Sequence, residues 1–141
     1  MKERVLGHSR GGRPVVVKEV GGEGGLLVFG AIHGDEPGSA ALCTRFLSEV
    51  AGRAAIAPLA VIEVTNPDGY ARAQKDNAAG VDLNRNFPSS SWQLAHAPGY
   101  DPGPRPLSEP ESAALARSSP RPARRRGHPS SRRRRVGAPR R

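Results

Sequence analysis

The sequence predicts an α/β fold, because two apolar runs flank one amphipathic helical segment. Residues 26–32 form a nearly unbroken apolar run between glycines, which is typical of a strand buried on both faces of a central sheet. Residues 36–50 place apolar side chains on one helical face, and Pro37 suits the first helical turn. Residues 59–64 form the second apolar run. A strand, a helix and a strand in this order predict two parallel strands joined by a right-handed crossover.

An N-terminal hairpin is predicted before this unit. Residues 5–9 and Pro14–Val20 have the composition of strands, and the Gly-rich segment between them has the composition of a turn. Pro14 favours a position at the edge of the sheet, because proline lacks the backbone N–H that a central strand uses. Arg10 and Arg13, in the turn, are expected to be solvated.

A long loop and a second helix are predicted after the unit. Residues 65–106 show little periodicity and are rich in Gly, Pro, Asn and Ser, and a loop of that length in a compact domain is usually functional or disordered. The motifs in it favour a functional loop. Ser108 and Glu111 have the spacing of a capping box, which predicts a helix that continues through residue 115.

The charge is distributed unevenly along the 141 residues. Residues 1–115 contain 11 basic and 13 acidic residues, a net charge of −2, and are predicted to be one domain. Residues 116–141 contain 11 Arg and no acidic residue, so the overall charge of +9 belongs to this tail. The tail has almost no apolar side chains and is predicted to be disordered. Two origins fit it: an arm that binds polyanions non-specifically, or the product of a shifted reading frame in a GC-rich gene.

Other features limit the class of protein. The single cysteine, Cys43, excludes an intramolecular disulfide and lies among apolar residues, as a buried structural cysteine does. No apolar segment follows the charged N-terminus, and the longest apolar run is about a third of a membrane span. The sequence therefore predicts a cytoplasmic protein that does not engage the membrane.

The leading candidate site lies at the carboxyl end of the 26–32 run. There His33 and Glu36 are three residues apart, and open α/β sheets place ligand sites at the carboxyl ends of their strands. Imidazole nitrogen and carboxylate oxygen are common ligands of catalytic zinc, which takes three protein ligands and keeps one position open. The alternative is a hydrogen-bonded His33 beside a Glu36 that is favoured only by the helix dipole.

Three downstream segments favour the zinc interpretation. They are Asn-Pro-Asp-Gly at 66–69, Val-Asp-Leu-Asn-Arg-Asn-Phe-Pro at 81–88, and Tyr-Asp-Pro-Gly-Pro-Arg-Pro-Leu-Ser-Glu-Pro-Glu at 100–111. In this order and spacing, residues 5–115 resemble the zinc carboxypeptidase family, and most of all its bacterial murein peptide amidase branch. The resemblance implies the N-terminal part of a mixed central sheet flanked by helices. It also implies a peptide substrate with a free carboxylate, such as a murein peptide.

The same resemblance assigns roles to four residues. It implies that His33 and Glu36 are the first two ligands of Zn²⁺, and that Asn84 and Arg85 bind the terminal carboxylate of the substrate. The chemistry agrees, because a guanidinium offers two parallel donors to a carboxylate and an adjacent amide adds another. The alternative for Arg85 is an ordinary surface charge.

The sequence departs from the family pattern at the position of two arginines. Asp35 stands where digestive carboxypeptidases have an arginine, which implies a different specificity. The arginine that steadies the oxyanion has no clear counterpart, and both Arg72 and Lys75 lie near its expected position.

The catalytic residue remains unassigned. The resemblance places the third zinc ligand and the catalytic glutamate beyond residue 115, and His96 and His128 lack the family's motif context. The expectation is therefore a C-terminally truncated or frame-shifted family member that is inactive as written. The alternative is a non-catalytic remnant whose Arg-rich tail binds nucleic acid or other polyanions.

Overall fold

The computed structural model describes residues 1–22, 25–53 and 57–118, which form a four-stranded mixed sheet with helices. The strands and helices are, in chain order, β1 (Lys2–His8), β2 (Pro14–Val20), β3 (Leu26–Phe29), α1 (Pro37–Val50), β4 (Leu59–Ile62), α2 (Pro67–Arg72) and α3 (Pro110–Ser118). The strand order is β1-β2-β4-β3, in which only β3 and β4 are parallel. The α/β class, the N-terminal hairpin and the helical crossover between parallel strands are confirmed.

Each face of the sheet is covered by one helix. On one face, Val15 and Val17 of β2 and Ile62 of β4 form a buried cluster with Leu115 of α3. On the other face, strand residues that alternate with these contact α1 through Cys43 and Leu47. The strand periodicity of two and the helical periodicity of 3.6 therefore direct apolar side chains into two thin cores. Cys43 is buried, as its apolar neighbours predicted.

The prediction that β3 is a central strand, buried on both faces, is wrong. In the described part of the chain, β3 is a four-residue strand at the sheet edge, where Leu26 is 57% and Phe29 45% exposed. An apolar run shows what a strand is able to bury, whereas burial on both faces requires covering elements. Among the described strands, only β4 pairs with β3.

The arginines of the β1–β2 turn are paired with buried carboxylates, which the sequence did not predict. The Arg13 guanidinium donates to Asp68 at 2.7 Å, and the Arg10 guanidinium donates to Glu109 at 3.0 Å. Asp68 also accepts the backbone N–H of Gly11 at 2.7 Å, and a Cβ at Gly11 would lie 2.5 Å from this carboxylate. The pairs fasten the turn to the starts of α2 and α3.

The region 65–106 contains more helix than the sequence predicted. Asn66 begins α2 as its N-cap, because its side chain accepts the backbone N–H of Gly69 at 2.9 Å. A 3₁₀ turn at Leu83–Arg85 follows, with Asp82 as its N-cap. Both elements are too short for apolar periodicity to reveal them, but each has a capping residue in the preceding position.

The second long helix differs from its prediction at both ends. The expected capping box does not form, since Ser108 donates to the Glu109 side chain and Glu111 accepts the backbone N–H of Arg10. The helix is described as far as Ser118, beyond residue 115, so part of the predicted tail is helical. Residues 119–141, where the remainder of that tail lies, are outside the described residues. None of the helices within the described ranges is long and apolar enough to cross a membrane.

Candidate active site

The His33–Glu36 segment forms a tight turn between β3 and α1. Glu36, the predicted first residue of the helix, is the N-cap residue of α1, and its backbone N–H donates to the His33 carbonyl at 3.2 Å. Gly34 lies against the start of α2, so closely that a Cβ there would be 2.0 Å from the Gly69 carbonyl carbon. The Gly34 N–H also donates to the Lys75 carbonyl at 3.2 Å. Glycine at 34 thus brings the His33 turn against the segment that carries Lys75.

The imidazole of His33 lies between two carboxylates. Nδ1 is 3.2 Å from Oε1 of Glu36, and Nε2 is 3.2 Å from Oδ1 of Asp82. A metal-binding histidine usually donates its second ring N–H to a carboxylate, which orients the ring and fixes the tautomer. The Asp82 contact has this geometry and leaves Nδ1 facing Glu36. Across the ranges that the structure covers, no three His, Cys, Asp or Glu side chains are grouped to hold a metal.

Asp82 connects the two halves of the site. Its side chain is 1% exposed, Oδ2 is 2.7 Å from the Lys75 ammonium, and Oδ1 accepts the backbone N–H of Asn84 at 2.9 Å as well as the His33 contact. Burial acts to raise the pKa of Asp82, but hydrogen bonds from Lys75 and His33 outweigh it and hold that pKa below its usual value. Asp82 is therefore a buried anion with fixed partners.

The predicted carboxylate-binding pair, Asn84 and Arg85, projects from the 3₁₀ turn. The adjacent Asn86 is fully buried and anchors this turn, because its side chain makes hydrogen bonds to the 102–112 segment, with Pro102, Arg105, Ser108, Glu109 and Ser112 as partners. Asn84 and Arg85 themselves are exposed. The fold thus presents both side chains to solvent from a rigid base.

A pocket of about 430 Å³ opens beside this pair. Asn84 and Arg85 line it together with the aromatic side chains of Phe87, Trp92 and Tyr100. The Arg85 guanidinium carbon lies 5.5 Å from the centre of the Tyr100 ring, a cation–π distance. A guanidinium in a pocket that aromatic side chains also line suits an anionic group attached to an apolar body.

Other residues considered from the sequence take different positions. Arg72 is exposed at the end of α2, whereas Lys75 contacts Asp82. His96 lines the pocket, and its Nε2 is 3.9 Å from Asp101. Asp35 is exposed. His128 lies outside the described residues.

The sequence reasoning missed the roles of Asp82 and Asn86. Both lie inside the Val-Asp-Leu-Asn-Arg-Asn-Phe-Pro motif, in which the resemblance assigned roles only to Asn84 and Arg85. The available signal was an Asp immediately before a short polar turn, which is an N-cap pattern. The burial of Asn86 had no sequence signal, because asparagine is mostly exposed in proteins.

Comparison with known proteins identifies the family of this chain. Residues 1–126 match the family model described as zinc carboxypeptidase. The chain is 35% identical over 105 residues to murein peptide amidase A of Escherichia coli K12, which covers 66% of this chain and 42% of the relative. It is 31% identical over 100 residues to carboxypeptidase SOL1 of Arabidopsis thaliana, covering 59% of this chain and 20% of that protein. The chain thus spans less than half the length of these curated relatives.

Two solved structures share the fold. Bovine thrombin-activatable fibrinolysis inhibitor, in complex with tick carboxypeptidase inhibitor, superposes with a TM-score of 0.74 at 26% identity, covering 82% of this chain and 47% of that chain. Murein-tripeptide amidase from Escherichia coli O157 superposes with a TM-score of 0.67 at 26% identity, covering 83% and 54%. The described sheet and helices therefore correspond to about half of each structure.

Proposed function

Because the chain belongs to the zinc carboxypeptidase family, we propose that His33 and Glu36 bind zinc and that Asn84 and Arg85 receive the free carboxylate of a peptide. The observation that carries this proposal is the position of the His33 ring, 3.2 Å from Glu36 on one side and 3.2 Å from Asp82 on the other. A histidine held by one buried carboxylate and facing another has the chemistry of a zinc ligand with its supporting acceptor. A zinc ion bound there would polarise a carbonyl and lower the pKa of water.

The protein groups have separate tasks in this proposal. Asp82 accepts a hydrogen bond from the Nε2–H of His33. The lone pair of Nδ1 is then available beside Glu36. Arg85 supplies paired N–H donors to a substrate carboxylate, and Asn84 supplies an amide donor. The 3₁₀ turn that begins at Asp82 sets the spacing between metal and carboxylate subsites. Together these groups would place an amide bond near the metal while its terminal carboxylate is held in the pocket.

The proposed substrate class is a peptide or amide with a free carboxylate next to the cleaved bond. A murein-type peptide is the specific candidate, because murein peptide amidase A is among the relatives. The pocket supports a substrate residue that combines a carboxylate with an apolar stem, since Arg85 lies among the rings of Phe87, Trp92 and Tyr100.

We expect residues 1–141 on their own to bind zinc weakly and to show no measurable hydrolysis. Catalytic zinc sites use three protein ligands, and the described residues bring two side chains together at the proposed position. A metal with two protein ligands keeps most of its water, so its geometry and the acidity of that water are poorly controlled. A location in the cytoplasm remains a prediction.

Two substitutions test the two halves of the proposal. Zinc affinity is measured by competition with a chromophoric chelator, and carboxylate binding by fluorescence of Trp92, the single tryptophan, on titration with N-acetylglycine. His33→Ala should abolish zinc binding, whereas Arg85→Gln should weaken the binding of N-acetylglycine and leave zinc affinity unchanged. Hydrolysis of a murein tripeptide is assayed in parallel with the wild-type chain.

The controls separate loss of function from loss of fold. Arg53→Gln is a matched arginine substitution, because Arg53 is exposed and pairs only with Glu49 one helical turn away in the described chain. Zinc binding that survives His33→Ala would refute the metal assignment. Tight binding of one zinc with turnover by the wild-type chain would refute the expected inactivity and direct attention to His96 or His128.

A second candidate function concerns the basic tail. Residues 116–141 contain 11 Arg without an acidic residue, and such a segment is able to bind polyanions through charge alone. This function is independent of the zinc site, so both proposals are compatible with one chain.

A further inference from the structure

Lys75 lies at the junction between the proposed metal subsite and the carboxylate subsite. Its ammonium nitrogen is 2.7 Å from Oδ2 of Asp82 and donates to the carbonyl of Gly99. The same nitrogen is 4.1 Å from the centre of the Tyr100 ring. The ammonium group of Lys75 is thus surrounded by a carboxylate, a carbonyl and an aromatic face of the protein itself. These contacts direct Lys75 towards the protein rather than towards a substrate atom.

The contact with Asp82 has consequences for His33. Asp82 is 1% exposed, and a buried carboxylate needs a countercharge because it has lost its hydration. Lys75 supplies that countercharge at Oδ2, which leaves Oδ1 directed at the His33 ring. Without the ammonium, Oδ2 would lose its charged partner, and nothing would hold the carboxylate in the orientation that places Oδ1 beside the His33 ring.

The contacts with Gly99 and Tyr100 have consequences for the pocket. Tyr100 lines the pocket, and its ring contacts Lys75 and also lies 5.5 Å from Arg85. Lys75 is not among the residues that line this pocket in the described chain. Its effect on a bound carboxylate must therefore pass through the Tyr100 ring and the backbone next to it.

We propose that Lys75 is a positioning residue, which fixes Asp82 behind His33 and holds Tyr100 beside Arg85, and that it does not donate to the oxyanion. This inference rests on the proposed zinc and carboxylate subsites. It gives the lysine a role in ground-state binding of both ligands. An oxyanion donor would instead act only on the transition state and leave zinc affinity unaffected.

A double-mutant cycle with Asp82 tests the first role. Zinc affinity is compared in the wild-type chain, Lys75→Met, Asp82→Asn and the double variant. Loss of a group that supports a metal ligand typically weakens metal binding by about 10–100-fold, which is the expected effect of Lys75→Met. Once Asp82 is replaced by the neutral amide, Lys75→Met should cost less than about twofold, because coupled residues are non-additive. An equal loss in both backgrounds, or no loss from Lys75→Met, overturns the role.

The carboxylate probe tests the second role independently of zinc. In metal-free protein, Lys75→Met should weaken N-acetylglycine binding by about 2–5-fold, as expected for removal of one cation–π contact that orders the Tyr100 ring. Lys18→Met is the matched control, because Lys18 is 26% exposed and pairs with Glu63, while Lys75 is 29% exposed. This control should change neither affinity. If Lys18→Met lowered the affinities as much as Lys75→Met, general destabilisation would explain both effects, and the inference would be wrong.

The two proposals fail in different ways. If the wild-type chain binds no zinc, the metal half of the proposed function is wrong, and the probe measurement still decides the Tyr100 role of Lys75. If the wild-type chain binds zinc and probe but Lys75→Met alters neither, the proposed function stands and the inference is wrong. If the wild-type chain binds neither ligand, both proposals are wrong.

Discussion

His33 Nε2 lies 3.2 Å from Asp82 Oδ1, and this contact determines which ring nitrogen faces the proposed metal position. Asp82 is buried and its pKa is held low by Lys75 and His33 against the opposing effect of burial, so it remains an acceptor at neutral pH. Nε2 must therefore carry a proton. The opposite nitrogen, Nδ1, faces Glu36.

The first prediction is that zinc binds to Nδ1 of His33 while Nε2 keeps its proton. Zinc added to ¹⁵N-labelled protein should shift the Nδ1 resonance in a long-range ¹H–¹⁵N spectrum and leave Nε2 in its protonated range. His96, exposed near Asp101, serves as an internal comparison that should change little. Metallation of Nε2, or an equal response from His96, would contradict the arrangement.

The two candidate ligands could be proposed from the sequence, whereas the contacts that support them could not. His33 and Glu36 could be predicted because a strand end followed by a helix start restricts where both side chains lie. Asp82 is 49 residues from His33 in sequence, so their contact depends on how the loop after α2 returns to the strand end. The resemblance indicates Lys75 as one of two residues near the position of the oxyanion arginine. Its contacts with Asp82 and Tyr100, however, depend on the same loop path.

The second prediction concerns the exposed edge strand. Leu26 is 57% exposed on β3, which is an edge strand in the described sheet, and open apolar edges promote aggregation. Leu26→Lys should raise solubility and lower the fraction of oligomer in light scattering, with little effect on the secondary structure seen by circular dichroism. Leu42→Lys is the matched control, because Leu42 is 68% exposed on α1. An equal benefit from both variants would show that the edge itself is not responsible.

The error over β3 has a physical origin. The apolar composition of residues 26–32 predicted a strand, and the strand–helix–strand order predicted its parallel pairing with β4; both are confirmed. Neighbours on the other side of a strand are determined by tertiary structure, which composition does not encode. Similarly, Arg10 and Arg13 look like ordinary turn residues, and the carboxylate partners of their side chains are 99 and 55 residues away.

The third prediction is that the Arg-rich tail binds duplex DNA through charge alone. Each phosphate contact contributes about −0.9 to the slope of log affinity against log salt, so 11 Arg limit the slope to about −10. Fluorescence anisotropy over a salt series, with scrambled duplexes of equal length, measures both slope and sequence preference. Deleting residues 119–141 should abolish binding. Strong sequence preference, or binding that persists in high salt, would contradict an electrostatic arm.

The last prediction separates two buried glutamates that have opposite effects on stability. Burial acts to raise the pKa of Glu109, but hydrogen bonds from Arg10 and Asn77 outweigh it and hold that pKa below its usual 4.5. The pKa of Glu111 is raised, chiefly by burial. A lowered pKa means that ionised Glu109 stabilises the fold above pH 4.5 and that this contribution is lost as the pH falls through the lowered value. Ionised Glu111 has the opposite effect, because a raised pKa means that the ionised form lowers the stability of the fold at neutral pH.

Isosteric amide substitutions should therefore behave differently. At pH 7, Glu109→Gln should lower the free energy of unfolding by about 1–3 kcal/mol, because charge-assisted hydrogen bonds from Arg10 and Asn77 are lost. Glu111→Gln should leave it unchanged or raise it, since the amide oxygen still accepts the backbone N–H of Arg10. Urea unfolding at pH 7 and in a series below pH 4.5 measures both. The deficit of Glu109→Gln should shrink in acid, because wild-type Glu109 is then protonated, and a deficit independent of pH would contradict the assigned charge states.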